Sequence, residues 1–140
     1  MKYYCPKYFD PREFVPPEAY EALGDSCLLV MDCRMLKTAD ALRGFFGVPV
    51  IINDWHMHGI RKYSGFRPVD CATGAHWSQH RFGRALDMII KTIAPEEART
   101  QIIQAKNHFP YIAAMERATT PWVHVDCRAI FGDGIVLFDP

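Results

Sequence analysis

Four side chains in this sequence have the types and spacing for metal chemistry. His80 and Asp87 stand seven residues apart with Gly83 between them, in Ser78-Gln79-His80-Arg81-Phe82-Gly83-Arg84-Ala85-Leu86-Asp87. His124 and Asp126 follow in Trp122-Val123-His124-Val125-Asp126. Neutral imidazole nitrogen and carboxylate oxygen are ligands for zinc, and a catalytic zinc site keeps three protein ligands and one open position. His80, Asp87 and His124 make such a set, for one zinc ion per chain. Asp126 can orient a ligand imidazole from behind.

The elements that must position these groups are legible as periodicities. His80 and Asp87 are too far apart to share one helical turn, so they converge only if the chain turns at Gly83 and Asp87 lies on a strand. Ala85 to Ile90 has the apolar content of a buried strand. An aspartate there is costly unless it is paired or bound to metal. Residues 122–128 alternate: Trp122, His124, Asp126 and Arg128 share one face, and Val123, Val125 and Cys127 the other. The valine face belongs to the core.

The rest of the chain reads as scaffold. The N-terminal arm, 1–17, is rich in proline and aromatic residues, with Asp10 as a cap and Pro11 at the first helical position. Residues 29–46 carry apolar residues at helical spacing and end near Gly44 and Gly47. A strand at 48–54 leads to Trp55-His56-Met57-His58, expected as a loop over the cleft. His56 and His58 are a rival metal pair without a third ligand spaced to join them. His76, four residues before His80, is a spare ligand if that segment is helical. A helix opens at Thr92 to Glu97, with Ala98, Ile102, Ile103 and Ala105 as its apolar stripe. Residues 111–116 form a strand, Thr119-Thr120-Pro121 a turn, and Gly132-Asp133-Gly134 a hairpin into a closing strand at 135–138.

Composition sets the class. With 140 residues, 49% hydrophobic and 23% charged, the chain is one ordinary globular domain over 1–140. A net charge of zero argues against a nucleic-acid partner, which needs a basic stripe, and gives no support for electrostatic membrane binding. Five cysteines, an odd number without zinc-finger spacing, fit free thiols in a reducing compartment. The N-terminus lacks an apolar signal core, so synthesis in the cytoplasm is expected.

Ser78-x-His80-x-x-Gly83-Arg84-Ala85-x-Asp87, Trp122-x-His124-x-Asp126 and Ser64-Gly65-Phe66-Arg67 together resemble the D-alanyl-D-alanine carboxypeptidase-like zinc peptidases. That superfamily includes VanX/VanY-type peptidases, phage peptidoglycan endopeptidases and the hedgehog signalling domain. The matches span roughly residues 48–128. The resemblance implies zinc on His80, Asp87 and His124, with Arg67 and Ser78 at the substrate. It implies an α+β fold: an antiparallel-rich sheet of four to five strands with helices packed mainly on one side. One position departs from the pattern. Many of these peptidases carry a general-base glutamate three residues before the last histidine ligand, where this chain has Pro121. Glu116 is the nearest upstream carboxylate and the candidate base, with Asp126 as the fallback.

The expected activity is zinc-dependent hydrolysis of peptidoglycan stem or cross-link peptides, carboxypeptidase-like or endolysin-like. Without a signal peptide, the enzyme would reach a cell wall after holin-type lysis or on a virion. The rival reading is a non-catalytic zinc-bound binding or virion structural module of the same fold. A third is a metal-free hydrogen-bonded triad of His80, Asp87 and His124.

Overall fold

The computed structural model describes residues 3–119, 121–130 and 132–140. Helices α1 (Pro17–Leu23) and α2 (Cys33–Phe46) precede strands β1 (Val50–Ile51) and β2 (Ala85–Ile90). Helix α3 (Pro95–Gln104) then leads to β3 (Ala114–Glu116), β4 (Val123–Asp126) and β5 (Val136–Phe138). The five strands form one sheet in the order β1-β2-β4-β3-β5, antiparallel except for the parallel pair β3–β5. The α+β architecture expected from the sequence is present.

The two faces of the sheet divide by residue type. Leu86, Met88, Ile90, Val123, Val125 and Met115 are buried on one face. They join one hydrophobic cluster with Met35, Leu36, Ala39 and Leu42 of α2 and with Ala98 and Ile102 of α3. The other face carries Asp87 and His124 directly opposite each other, with Asp126 paired to Ala85 and Ala114 on either side. Glu116, two residues along from Ala114 on the same face, pairs with Phe138 of β5. The period of two therefore sets Asp87, His124, Glu116 and Phe138 in one row across four strands.

Several boundaries differ from the sequence expectations. Helix α2 starts at Cys33, not at 29. Gly24–Val30 is a 3-10 helix with Leu29 exposed, and Asp32 is extended and caps α2 by accepting from Arg34 N. The strand expected over 48–54 shortens to Val50–Ile51, because Asn53 and Asp54 donate their backbone N–H groups to Glu13 and Arg61 instead. The strand over 111–116 shortens to Ala114–Glu116. The segment through Gly132–Gly134 does not return as a hairpin. Both edges of β4 are already occupied by β2 and β3, so β5 adds in parallel beside β3. On α3, Ile103 is exposed and Arg99 is buried in the stripe. Of the N-terminal arm and the 119–121 turn, Met1, Lys2 and Thr120 lie outside the described residues.

The arm is a structural part of the domain. Asp10 and Glu13 form a reciprocal capping box around the turn Pro11–Glu13. Phe14 and Val15 are fully buried. Phe14 O accepts from Phe66 N, and Val15 O accepts from the buried Asn53 amide and from Trp55 Nε1. Gly65 crosses Phe14 so closely that a Cβ there would lie 2.2 Å from Phe14 O.

Candidate metal centre

His80 lies in the 3-10 turn Gln79–Phe82, whose N-terminus is capped by the Ser78 hydroxyl. Gly83 ends the turn with φ 65°, and a Cβ on it would meet Val30 O at 2.1 Å. The left-handed conformation and the close approach both require glycine. This turn folds the chain back so that His80 and Asp87, on β2, face each other.

Three donors converge. His80 Nε2 lies 3.3 Å from His124 Nδ1 and 3.3 Å from Asp87 Oδ2, and His124 Nδ1 lies 2.8 Å from Asp87 Oδ1. All three side chains are buried, and the cluster could hold a metal ion. Each imidazole is oriented through its other nitrogen. His80 Nδ1 donates to Gly65 O at 2.7 Å, which leaves a lone pair on Nε2 facing Asp87. His124 Nε2 pairs with Asp126 Oδ2 at 3.1 Å. Such outer partners fix the tautomer and strengthen the ligand.

Burial holds His80 below its ordinary pKa and therefore neutral. Burial opposes ionisation of Asp87 too, but the hydrogen bond and charge of the facing His124 hold the carboxyl below the usual range. His124 is the opposite case: burial disfavours its charge, yet its hydrogen bonds to Asp126 and Asp87 lift it to about 9. Without an ion, the one proton on His124 Nδ1 faces two acceptor atoms, Asp87 Oδ1 and His80 Nε2, while Asp87 Oδ2 accepts from Arg67 Nη2. Two lone pairs facing one proton are donors that a cation could take, and a cation bound there would release the His124 proton.

The cluster forms part of the wall of a cleft of about 710 Å³. Glu116, Arg67, Ser78, Trp77, Trp122 and Phe138 line the same cleft. Burial raises the Glu116 carboxyl above its ordinary pKa, with His124 and Arg67 pulling the other way. Phe138 stands edge-on to His124 at 5.7 Å and under the Arg128 guanidinium at 4.1 Å.

The expected site residues thus divide. His80, Asp87 and His124 converge, and Glu116 joins them at the cleft. Asp126 does not occupy the position of a base. It is fully buried behind His124, and both its oxygens are taken by Arg128 and His124. Arg67 lines the cleft with two of its three guanidinium nitrogens engaged: Nη2 donates to Asp87 Oδ2 at 2.8 Å and Nε to Tyr63 O at 2.7 Å. Ser78 lines the cleft while its hydroxyl caps the His80 turn. His56 and His58 are not part of the cluster. The Trp55–Met57 turn packs on the N-terminal arm through Trp55, not over the cleft. His76 is exposed and stacks edge-on against Trp77 rather than joining His80.

Two contributors escaped the sequence reading. Arg81 donates to the carbonyls of Pro68, Cys71 and Ala75 and so braces the loop that forms one cleft wall. Arg99, buried on α3, donates to Thr119 O and Oγ1 at the opposite rim. A buried arginine inside an apolar helical stripe is the one signal that pointed to the second. No protein-family model, curated protein or solved structure matches the chain.

Proposed function

We propose that this protein is a zinc metallopeptidase that hydrolyses peptidoglycan stem or cross-link peptides. The observation that carries the reading is the convergence of two tautomer-fixed imidazoles and one carboxylate beside Glu116 in an open cleft. Tetrahedral zinc with bonds of about 2.0–2.1 Å sets neighbouring donors about 3.3 Å apart; here His124 Nδ1 stands 3.3 Å from His80 Nε2 and 2.8 Å from Asp87 Oδ1, and one donor atom from each residue lies within 4.8 Å of the others. The resemblance to the D-alanyl-D-alanine carboxypeptidase-like peptidases supports the same assignment and supplies the substrate class.

His80, Asp87 and His124 would hold the ion, which supplies Lewis-acid polarisation of a carbonyl and acidifies water. The chain's own residues do the rest. Glu116, with its carboxyl poised upward by burial, accepts the proton of the attacking water and returns it to the leaving amine as the C–N bond breaks. Arg67 fixes Asp87 in ligating position from its outer oxygen. Trp122 and Phe138 form walls that limit water around the reacting bond. Glu116→Gln should keep its zinc and lose at least about a hundredfold in kcat on muropeptides, as removal of a general base requires. Unchanged kcat would remove Glu116 from the mechanism.

The rival reading, a zinc-bound binding module without catalysis, rests on Pro121 at the usual glutamate position and on Arg67 being paired with Asp87. Zinc-replete wild type that leaves muropeptides and cell-wall sacculi intact decides for it.

A further inference from the structure

Asn53 is a fully buried polar residue two positions past the end of β1. Burying an amide is unfavourable unless its groups find partners, and those of Asn53 join two distant segments. Its backbone N–H donates to Glu13 O at 3.1 Å and its Nδ2 to Val15 O at 3.3 Å, both on the N-terminal arm. Its Oδ1 accepts from Ser64 N at 2.9 Å. A side chain that donates and accepts at once is needed for both links. An ionised aspartate offers acceptors alone, and leucine offers neither.

Ser64 begins a segment that bonds to two of the three ligand candidates. β1 pairs with Ile89 and Ile90 of β2 and stops short of Asp87. Ser64 O takes that edge instead, accepting from Asp87 N at 2.8 Å. Gly65 O accepts from His80 Nδ1 at 2.7 Å. Arg67 donates its backbone N–H to His80 O at 3.1 Å and its Nη2 to Asp87 Oδ2 at 2.8 Å. Residues 64–67 belong to no helix or strand, so no ladder of backbone bonds fixes their place. They are held on the arm by the bond from Ser64 N to Asn53 and by that from Phe66 N to Phe14 O, at 2.7 Å. A shift of this segment therefore moves the His80 ring and the Asp87 backbone together. A metal centre tolerates about 0.5 Å of such movement in its ligands.

We infer that Asn53 is a positioning residue of the metal centre: through Ser64–Arg67 it sets the separation of the His80 and Asp87 donors. The inference rests on the metal-centre reading above and extends it to a residue whose hydrogen bonds reach neither ligand directly. An asparagine that only supports the fold predicts a different outcome. Its loss would lower stability, and a chain that stays folded would hold zinc as before.

The test compares the full chain as wild type, Asn53→Ala and Ile102→Ala. Ile102 is buried on α3 in the core and serves as the control for lost stability. Zinc affinity is measured by chelator competition at a temperature where all three are folded. The His80 Nδ1–H proton, bonded to Gly65 O, is followed by NMR in the metal-free proteins. The expected result is zinc binding weaker by about tenfold or more in Asn53→Ala, the scale of a disturbed outer partner, with the His80 signal lost to exchange. Ile102→Ala should keep both. Wild-type affinity and an intact signal in Asn53→Ala, or equal losses in the two variants, overturn the inference and leave the metal-centre reading standing. Wild type that refuses zinc overturns that reading. The inference then stands or falls on the His80 signal, which Asn53→Ala must lose and Ile102→Ala must keep. If Asn53→Ala does not fold, hydrogen exchange on wild type replaces it, because coupling between the zinc site and the Asn53 link is reciprocal. Zinc should slow exchange of the Ser64 and Phe66 amides about tenfold more than that of Ile102; equal slowing at all three overturns the inference.

Discussion

The chain holds two pairs of histidines on alternate or facing positions, and among the described residues one pair belongs to a cluster that could hold a metal ion. His80 and His124 are buried, face each other across β2 and β4, and have their second nitrogens held by Gly65 O and Asp126. His56 and His58 are two residues apart in a short turn. His56 has its Nδ1 buried without a partner, and His58 sits at φ 66° as the turn's cap. Burial lowers the pKa of His56 as it does that of His80, so burial alone does not distinguish them. What distinguishes them is a third donor and an orienting partner for each ring. Residue type marks both pairs; only the sheet register makes one a site.

The largest break in this contrast comes from Asp87→Asn. It removes the anionic donor and leaves Arg67 and His124 without their shared counter-charge. Zinc retention should be lost and hydrolysis with it. The metal-free variant should also be less stable by about 3 kcal/mol or more, as when one partner of a buried ion pair is removed. Isothermal zinc titration and chemical denaturation check the two parts separately. Retained zinc at full affinity would show that Asp87 is a structural partner of Arg67 rather than a ligand.

Asp126→Asn is a smaller break. The His124 imidazole keeps its place on β4, but its orienting acceptor is weakened and Arg128 loses its ion pair. Zinc affinity should fall by about 10–100-fold, the usual cost of disturbing an outer partner of a ligand histidine. A competition titration against a chromophoric chelator measures it. An affinity equal to wild type would mean that the β4 backbone alone orients His124.

The smallest effect sharpens the other side of the comparison. Glu13, in the capping box near His56, is pushed up to about 7 by burial, with the charge of Asp10 adding to the rise. Its folded pKa is above its unfolded value, so the folded state holds the proton more tightly. The stabilisation is complete below the unfolded value and is lost as pH rises through about 7. Thermal melts should therefore show wild type losing stability relative to Glu13→Gln between about pH 5 and pH 8. A difference between the two proteins that stays constant across that range contradicts the assignment.

Much of the site was legible because each part had a local signature. Gly83 marked the turn, the apolar run 85–90 marked β2, and the alternation at 122–128 put His124 and Asp126 on the face opposite Val123 and Val125. The commitment of Arg67 was not legible, since its partner Asp87 is twenty residues away and meets it only through the β2 register. Nor was the sheet order. Nothing in the run 135–138 says that both edges of β4 are taken, so a hairpin looked natural and the parallel β3–β5 pair did not. The early boundary of α2 was missed because Leu29 and Val30 continue its apolar spacing, while the capping bond of Asp32 overrides that spacing. The role of the N-terminal arm was half visible. Its aromatic residues announced packing, but the bond from Phe66 N to Phe14 O, beside the glycine whose carbonyl orients His80, depends on a contact between distant segments.

Metal content tests the central claim most directly. Wild type, His80→Ala and the double variant His56→Ala/His58→Ala are purified without chelator or added metal, and their zinc is measured by mass spectrometry. The proposed function predicts about one zinc per chain in wild type and in the double variant, and none in His80→Ala. Folded wild type that carries no metal and refuses added zinc would contradict it, and would leave His80, Asp87 and His124 as a hydrogen-bonded cluster inside a domain of another purpose.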